Sequence, residues 1–580
     1  MVDDALIEGW RSRIGLAAAA LGWARPGTIA RPHARGVSLA MTAPIDQLFL
    51  ATEINEWALC ASLGARDPAR AEDIEAGLID QAVQAALDDE IAPPMLPALD
   101  EAAAFARFAV LAKTEANPGL RALAERAAAC TLPHVEDDDG LTLGAGAGAR
   151  TYPLLQLPAV EEVPWPSLHG LPIALVTGSN GKTTTVRLLA AFARAHGLHA
   201  GYSCTDGVFL DDQVLESGDY SGPAGARRVL REPRTGIAVL ETARGGILRR
   251  GLAVTQADVA VVTNVSADHF GEYGIDDLAA LAQVKLVVAA AVKPAGLLVL
   301  NAEDGQLRSA IGSIAARYGR CPPLGWFGLD ADSPSLRRLT ASGAPYCAAR
   351  DGSLLATHAG QHHDLGRIAS MPLTLDSVAI YNIANIAGAA LAALSLGISA
   401  RTISSVLAQF GANPQDNSGR MMRFQRNGVT VLIDYAHNPD GLRGFLEVAQ
   451  HFRRGGRLGI LLGHAGNRRD DDIRKLAQVA AQFQPDLVVV KEDEAHLRGR
   501  APGEVPRIIR SALLQLGMTD SALRDRGTEV EAARCALDWA RPGDVLALPV
   551  HAMGARRAVL DLLAGPDGNG SEPHHHDLPA

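Results

Sequence analysis

The sequence predicts an α/β protein: a central, doubly wound domain, a smaller Rossmann-like α/β domain after it, and a mainly helical domain before it. Three observations predict this. From Pro172 onward short β-rich runs alternate with helical patterns, which argues a mainly parallel sheet covered by helices. A second alternation starts near VTVLIDYAH and continues through RLGILLGHAG, DLVVVKED and DVLALPVHA. The first 133 residues, by contrast, are Ala-rich and poor in strand signals. A chain of 580 residues is too long for one core and suggests roughly three or four domains of ~100–200 residues each.

In order along the chain, residues 1–133 read as the helical domain, with LFLATEINEWALCASL open as an amphipathic docking helix, a polymer-binding surface or a buried core element. Residues 134–170 follow as HVEDDDG, LTLGAGAGAR and a stretch with Pro at 153, 158, 164 and 166. Acid, glycine and proline in succession predict a linker. Residues 171–412 form the central domain: IALV and a helix, IAVL, VAVVTNV, a helix around Lys285, then GLLVLN. In the first of these helices Val186, Leu189, Ala190 and Ala193 share one face, which should pack on the sheet. Residues 413–563 form the last domain, and 564–580, with three histidines, are expected to be a disordered tail.

Composition narrows the function. Apolar residues make up 48 % and charged residues 21 %, ordinary for a globular protein. A net charge of −11 argues against a nucleic-acid or membrane-surface binder, since both attract basic faces. The six cysteines are scattered without CxxC or zinc spacing, which suggests thiols in a reducing compartment. The acidic start lacks a signal-peptide pattern, and no run has the density of a spanning helix. A cytoplasmic protein is the expectation.

The stretch VTGSNGKTTT, residues 176–185, follows an apolar strand and runs into a helix. Glycines in that setting let backbone N–H groups approach phosphates, and the helix N-terminus adds positive dipole. Lys182 can reach β/γ oxygens and the Thr183 hydroxyl can sit on Mg²⁺. The standard loop would place its first glycine at Val176; here it is Gly178, two residues closer. This shortened G-x-x-G-K-T followed by T-T resembles the nucleotide loop of the Mur ligases, ATP-dependent amide-bond synthetases, with Ser179 where Thr is commoner. ETARGGILRRGL, TNVSADHFG, NIANIAGAALAALSLGI, SGRMMRF and DYAHNPDGL occur in that family's order, and the resemblance covers about 400 residues. It is narrower still to the Mur-like, arginine-adding module of cyanophycin synthetases, through TDGV, GDYSGPAGARRVL, GNRRDDDIR and LRGR. Whole cyanophycin synthetases also carry an ATP-grasp domain, for which the first 165 residues here are too short.

The resemblance implies a Mur-ligase-like P-loop central domain and an ADP-forming acid–amino-acid ligase that uses ATP and Mg²⁺. It implies ATP binding by Gly178, Ser179, Asn180, Gly181, Lys182, Thr183 and Thr184, with Asn301 at the adenine and Asn382 and Asn385 facing the nucleotide. Tyr381 stands where the family usually has histidine. From the last domain Arg420 and Asp434 would reach phosphate and ribose. Lys182, Glu241, His269 and Lys285 are the implied catalytic set. Thr183, Glu241 and His269 would hold metal, joined by Lys285 only if CO₂ carbamylates it. A structural histidine and a phosphate-pairing lysine are the alternatives at the last two.

For the amine substrate, GNRRDDD and KEDEAHLRGR supply Asp470, Asp471, Asp472, Glu492, Asp493 and Glu494 beside Arg468, Arg498 and Arg500. Carboxylates can grip a guanidinium and arginine can hold the substrate's own carboxylate, although solvated loop charge fits the same residues. Of these, Asp470, Asp471, Arg498 and Arg500 are the chosen amino-acid site. Asp206 and Asp219 could shape the side of a carboxylate-bearing peptide acceptor. Arginine is the favoured amine. Cell-wall, folylpolyglutamate-like or poly-γ-glutamate-type substrates, and a catalytically silent ATP-binding partner of a separate synthetase chain, remain as alternatives. A homo-oligomer also stays open.

Overall fold

The computed structural model describes residues 4–33, 36–66, 100–268, 270, 273–492 and 497–564. They fall into two compact units, one up to residue 170 with a short segment at 273–276, the other made of the rest.

In the first unit the helices Asp4–Ala20, Leu48–Gly64 and Glu101–Glu115 pack around Trp10, Ile14, Leu50, Ile54, Trp57 and Phe108. Trp57 meets Phe105 and Phe108 edge-on, with ring centroids 5.4 and 5.5 Å away. LFLATEINEWALCASL is thus largely a core helix, since Leu50, Ile54, Trp57 and Ala58 are wholly buried. The unit also holds a hairpin, Thr28–His33 with Gly36–Met41, beyond the predicted helices.

The stretch 134–170 is folded and does not behave as the expected linker. The strands His134–Glu136, Gly140–Leu143 and Arg150–Pro153 form an antiparallel sheet. Leu141 and Leu143 are buried with Leu120, Leu123 and Ala127 of the helix Pro118–Ala129. The glycines there mark close backbone approach: Gly144 has φ +83°, and a Cβ on it would run into the Gly148 carbonyl.

The second unit carries two sheets. In the eleven-stranded sheet, Ile173–Thr177 lies between Ile237–Glu241 and Ala257–Val262, all parallel. Ala200–Cys204 continues the parallel run on one side, and Val292–Asn301, Leu324–Gly328 and Tyr346–Arg350 continue it on the other. Antiparallel strands close both edges. The chain leaves Ile173–Thr177 toward one side and returns to its other side. Its C-terminal end is therefore a topological switch point, where an open α/β sheet leaves a crevice. Val186, Leu189, Ala190 and Ala193 of the helix Lys182–Ala195 are buried, as their spacing requires. The six-stranded sheet has five parallel strands, with Val429–Asp434 and Leu458–Leu462 flanking Val545–Pro549, and one antiparallel edge strand, Met422–Arg426. Among the described residues no helix is long and apolar enough to cross a membrane, and Cys130, Cys204, Cys321, Cys347 and Cys535 form no disulfide. The expected tail lies outside the described residues, apart from Ala564.

Candidate active site

The loop after Ile173–Thr177 is held open by neighbours that leave no room for side chains. Gly178 and Gly181 have φ of +149° and +83°. A Cβ on Gly178 would collide with the Thr263 hydroxyl, and one on Gly181 with the Asn385 side-chain oxygen. The strand end Thr263–Ser266 cradles the loop. Asn180 N donates to Asn264 Oδ1 at 2.9 Å, Ser179 N to the Asn264 carbonyl at 2.9 Å, and Ser179 Oγ to the Ser266 carbonyl at 3.0 Å. Lys182 Nζ rests on the Ser179 carbonyl at 3.1 Å.

Glu241 ends the neighbouring strand and is 1 % exposed. It accepts from Thr183 Oγ1 at 2.8 Å and from Thr205 Oγ1 at 3.0 Å. This is a compact set of hard oxygens. Among the described residues no three His, Cys, Asp or Glu side chains gather as a closed metal cage. One carboxylate and hydroxyls beside a phosphate cradle suit Mg²⁺, which keeps waters and shares its shell with phosphate oxygens.

Lys285 ends the helix Leu278–Lys285 and is 3 % exposed. Burial, then the charge of Lys182, pushes its ammonium well below the usual lysine range, against the pull of Asp268. A neutral amine at this position is the form that reacts with CO₂. His269 lies outside the described residues.

Asn382 and Asn385 lie buried on the helix Ile380–Ser395. Asn382 Nδ2 donates to the Leu373 carbonyl at 3.0 Å, and Asn385 Nδ2 to Asn382 Oδ1 at 3.2 Å. Asn301 Nδ2 donates to the Thr263 carbonyl at 3.1 Å, bracing the strand end that cradles the loop. Tyr381 packs on the core of the last domain, and burial raises its phenol well above the usual range.

Asp434 ends the strand Val429–Asp434 and accepts from Met421 N at 2.7 Å and Ala436 N at 2.8 Å. Burial raises its carboxyl against the opposing charge of Arg420. The Arg420 guanidinium stacks on Tyr435 with its carbon 4.1 Å from the ring centroid. Burial works against that charge, but Asp206, Tyr435, Glu241 and Asp434 around it hold it firmly protonated.

Asp206, expected to shape the acceptor side, is gripped by two arginines. Its Oδ2 accepts from Arg187 Nη2 at 2.8 Å and its Oδ1 from Arg556 Nη2 at 2.9 Å. Burial would raise its carboxyl, but Arg420, Arg187 and Arg556 hold it below the ordinary range. Asp219 accepts from Ser221 N and Oγ at 3.1 and 2.6 Å.

Of the charges chosen for the amino-acid site, Asp470 and Arg500 pair with one another, and the other ion pairs run to neighbours outside that set. Asp470, Asp471 and Asp472 fill the first turn of the helix Asp470–Gln482, where carboxylates suit the helix dipole. Arg500 Nη2 donates to Asp470 Oδ1 at 2.8 Å and Nη1 to Glu504 Oε1 at 2.6 Å. Asp471 pairs with Arg474 at 3.0 Å while remaining exposed. Arg498 is exposed, and Asp493 and Glu494 lie outside the described residues. Glu492 is buried and accepts from Gly503 N.

Residues 176–393 match the Mur ligase middle domain and residues 419–549 the Mur ligase glutamate ligase domain. A UDP-N-acetylmuramoyl-L-alanyl-D-glutamate–2,6-diaminopimelate ligase from Alkalilimnicola ehrlichii is 30 % identical over 379 residues, spanning 64 % of this chain and 69 % of that protein. The chain belongs to the Mur ligase family. This Mur ligase is also 37 % identical over 380 residues to the cyanophycin synthetase of Trichormus variabilis, covering 65 % of the chain but 41 % of that relative. It thus spans about two fifths of the cyanophycin synthetases it matches. E. coli FolC in complex with ADP shares the fold, at 18 % identity and a TM-score of 0.50, covering 67 % of this chain and 89 % of that one.

Sequence reasoning missed several residues that build this Mur ligase site. Thr205, Thr263, Asn264 and Ser266 stood inside quoted motifs without a role. Asn438 sat in DYAHNPDG, yet its Nδ2 donates across domains to Asn180 Oδ1 at 2.8 Å. Arg187 and Arg556 carried no signal beyond being arginines on helices.

Proposed function

We propose that this chain is an ATP-dependent amide-bond ligase that joins an amino acid, with arginine favoured, to an aspartyl β-carboxylate of a peptide. The observation that carries the ligase reading is the glycine cradle of residues 178–184 at the switch point, with Glu241 held on Thr183. Likeness to cyanophycin synthetases supports the choice of substrates.

In this reading the loop amides and Lys182 bind the polyphosphate, while Thr183 and Glu241 would hold Mg²⁺, whose charge offsets that of the β- and γ-phosphates. The acceptor carboxylate oxygen attacks the γ-phosphorus and the bond to ADP breaks, giving an acyl phosphate. The substrate amine then attacks the acyl carbon, phosphate leaves and the amine proton passes to solvent. Arg420, whose charge is felt by Glu241, would offset charge on the transferred phosphoryl group. The last domain closes over the loop through Asn438 and Asn180 and excludes water from the acyl phosphate. The helical first unit has no assigned part in these steps.

A second reading keeps the chemistry and changes the substrates to cell-wall precursors, favoured by the diaminopimelate ligase relative of which the chain covers 69 %. The test is phosphate release with Mg²⁺–ATP, with and without arginine, across peptides bearing free β-carboxylates, with mass spectrometry of products. Release that needs both partners, with a condensation product of the right mass, supports arginine addition. A requirement for another amino acid moves the weight to the second reading.

A further inference from the structure

A single turn, residues 417–421, gathers contacts from three distant segments of the second unit. Asn417 Nδ2 donates to Thr184 Oγ1 on the nucleotide loop at 3.2 Å and to the Arg420 carbonyl at 3.3 Å. The Ser418 carbonyl accepts from Arg187 Nη1 at 2.9 Å and from Arg556 Nη1 at 3.4 Å. Gly419 has φ +72°, and a Cβ there would collide with the Arg556 side chain. Met421, a non-glycine residue at φ +45°, is held by Asp434. The same two arginines, Arg187 and Arg556, grip the two oxygens of Asp206. All three of these groups are at most 9 % exposed. Between Ser418 and Met421 sits Arg420, whose Nε and Nη2 are buried without a hydrogen-bond partner.

We propose that Asp206 is a positioning residue that acts through Arg420: with Arg187 and Arg556 it forms a clasp that fixes the 417–421 turn and so aims the Arg420 guanidinium at the polyphosphate. The proposal rests on the ligase reading for the identity of that anion. Three guanidiniums crowd one carboxylate. Without it they repel one another, and the helix Met553–Ala564, which carries Arg556, keeps only the shared Ser418 carbonyl as its link to Arg187 on the helix that follows the nucleotide loop. Arg187 and Arg556 each direct both terminal nitrogens to Asp206 and Ser418, and only the Nε of Arg556 is left over, whereas Arg420 keeps both Nε and Nη2 for a ligand. Electrostatic preorganisation of this kind acts only if the donor is fixed before the anion arrives.

The test is a double-mutant cycle on the full chain, read by titration with a fluorescent ATP analogue plus Mg²⁺ and by phosphate release. Asp206→Asn keeps the shape and removes the charge; Arg420→Ala removes the guanidinium it aims. Each single variant should weaken nucleotide binding about 10-fold, and the double variant should be no weaker than the worse single by more than about 2-fold. Arg556→Gln, which loosens the clasp from the other side, should give the same pattern and guards against a folding defect in Asp206→Asn. Multiplying losses in the double variant, or unchanged binding by both Asp206→Asn and Arg556→Gln, overturns the clasp. A wild-type chain that binds the analogue but forms no amide with any substrate pair overturns the ligase reading alone, because the binding cycle still reads the clasp. No nucleotide binding by the wild type overturns both.

Discussion

At the scale of single residues, Gly181 and Lys285 are governed by opposite constraints, one of space and one of charge. Gly181 combines a positive φ with a neighbour, Asn385, that leaves no room for a methyl group. Gly181→Ala should therefore distort the loop, cost about 1–3 kcal/mol and weaken ATP binding, seen as a lower thermal midpoint and a higher KM for ATP. Lys285 is buried, and its surroundings favour the neutral amine. Lys285→Arg forces a permanent charge into that place and removes the nucleophile that CO₂ would need. Phosphate release should fall at least about 100-fold, the size of losing one preorganised electrostatic group. Turnover within a few-fold of wild type would show that neither neutrality nor carbamylation of Lys285 matters.

Elements set the next level. The helix Pro439–Phe452 begins at Asn438, whose Oδ1 accepts from Gly441 N at 2.8 Å while its Nδ2 reaches Asn180. Asn438→Ala should cost about 1 kcal/mol as a lost cap, and it should also raise the KM for ATP because the cross-domain bond is lost. Asn438→Asp, which keeps a capping oxygen but loses the donor to Asn180, should recover the stability and not the KM. At the strand ends of the last domain Lys491, wholly buried, pairs with Glu529, which also accepts from His551 N at 2.9 Å. Burial opposes the charge on Glu529, but Lys491 and His551 outweigh it and hold the carboxyl far below its ordinary 4.5. A depressed folded-state value stabilises the fold above pH 4.5, and that contribution fades as pH falls from there toward the folded value. The gap in thermal midpoint between wild type and Glu529→Gln should accordingly be widest above pH 4.5 and shrink on acidification. A gap that does not change with pH would rule out this linkage.

For the whole molecule, ligand and fold are coupled, because the nucleotide loop and the last domain belong to one compact unit. Mg²⁺–ATP at about 100 times its Kd should stabilise that unit by about 2.7 kcal/mol, and adding a chelator should remove most of the gain. Calorimetry with nucleotide alone, with Mg²⁺ alone and with both separates the contributions; a midpoint that ignores all three contradicts binding.

The parallel central sheet, the smaller α/β domain and the loop from Gly178 to Thr184 were legible in the sequence. Each rests on residues close along the chain, where periodicity and glycine geometry act locally. Glu241 was legible as a ligand type at a strand end. The folded stretch 134–170 was not, because glycine and proline mark tight packing as readily as flexibility, and only Leu141 and Leu143 meeting the helix beside them decide which. Nor was the pairing of Asp206, whose partner Arg556 stands 350 positions away. Local chemistry fixed what the loop could hold. Which side chains close around it depended on long-range packing, since a charge pair of that separation has no periodic trace in the sequence and forms only when the two domains bring its ends within hydrogen-bond reach.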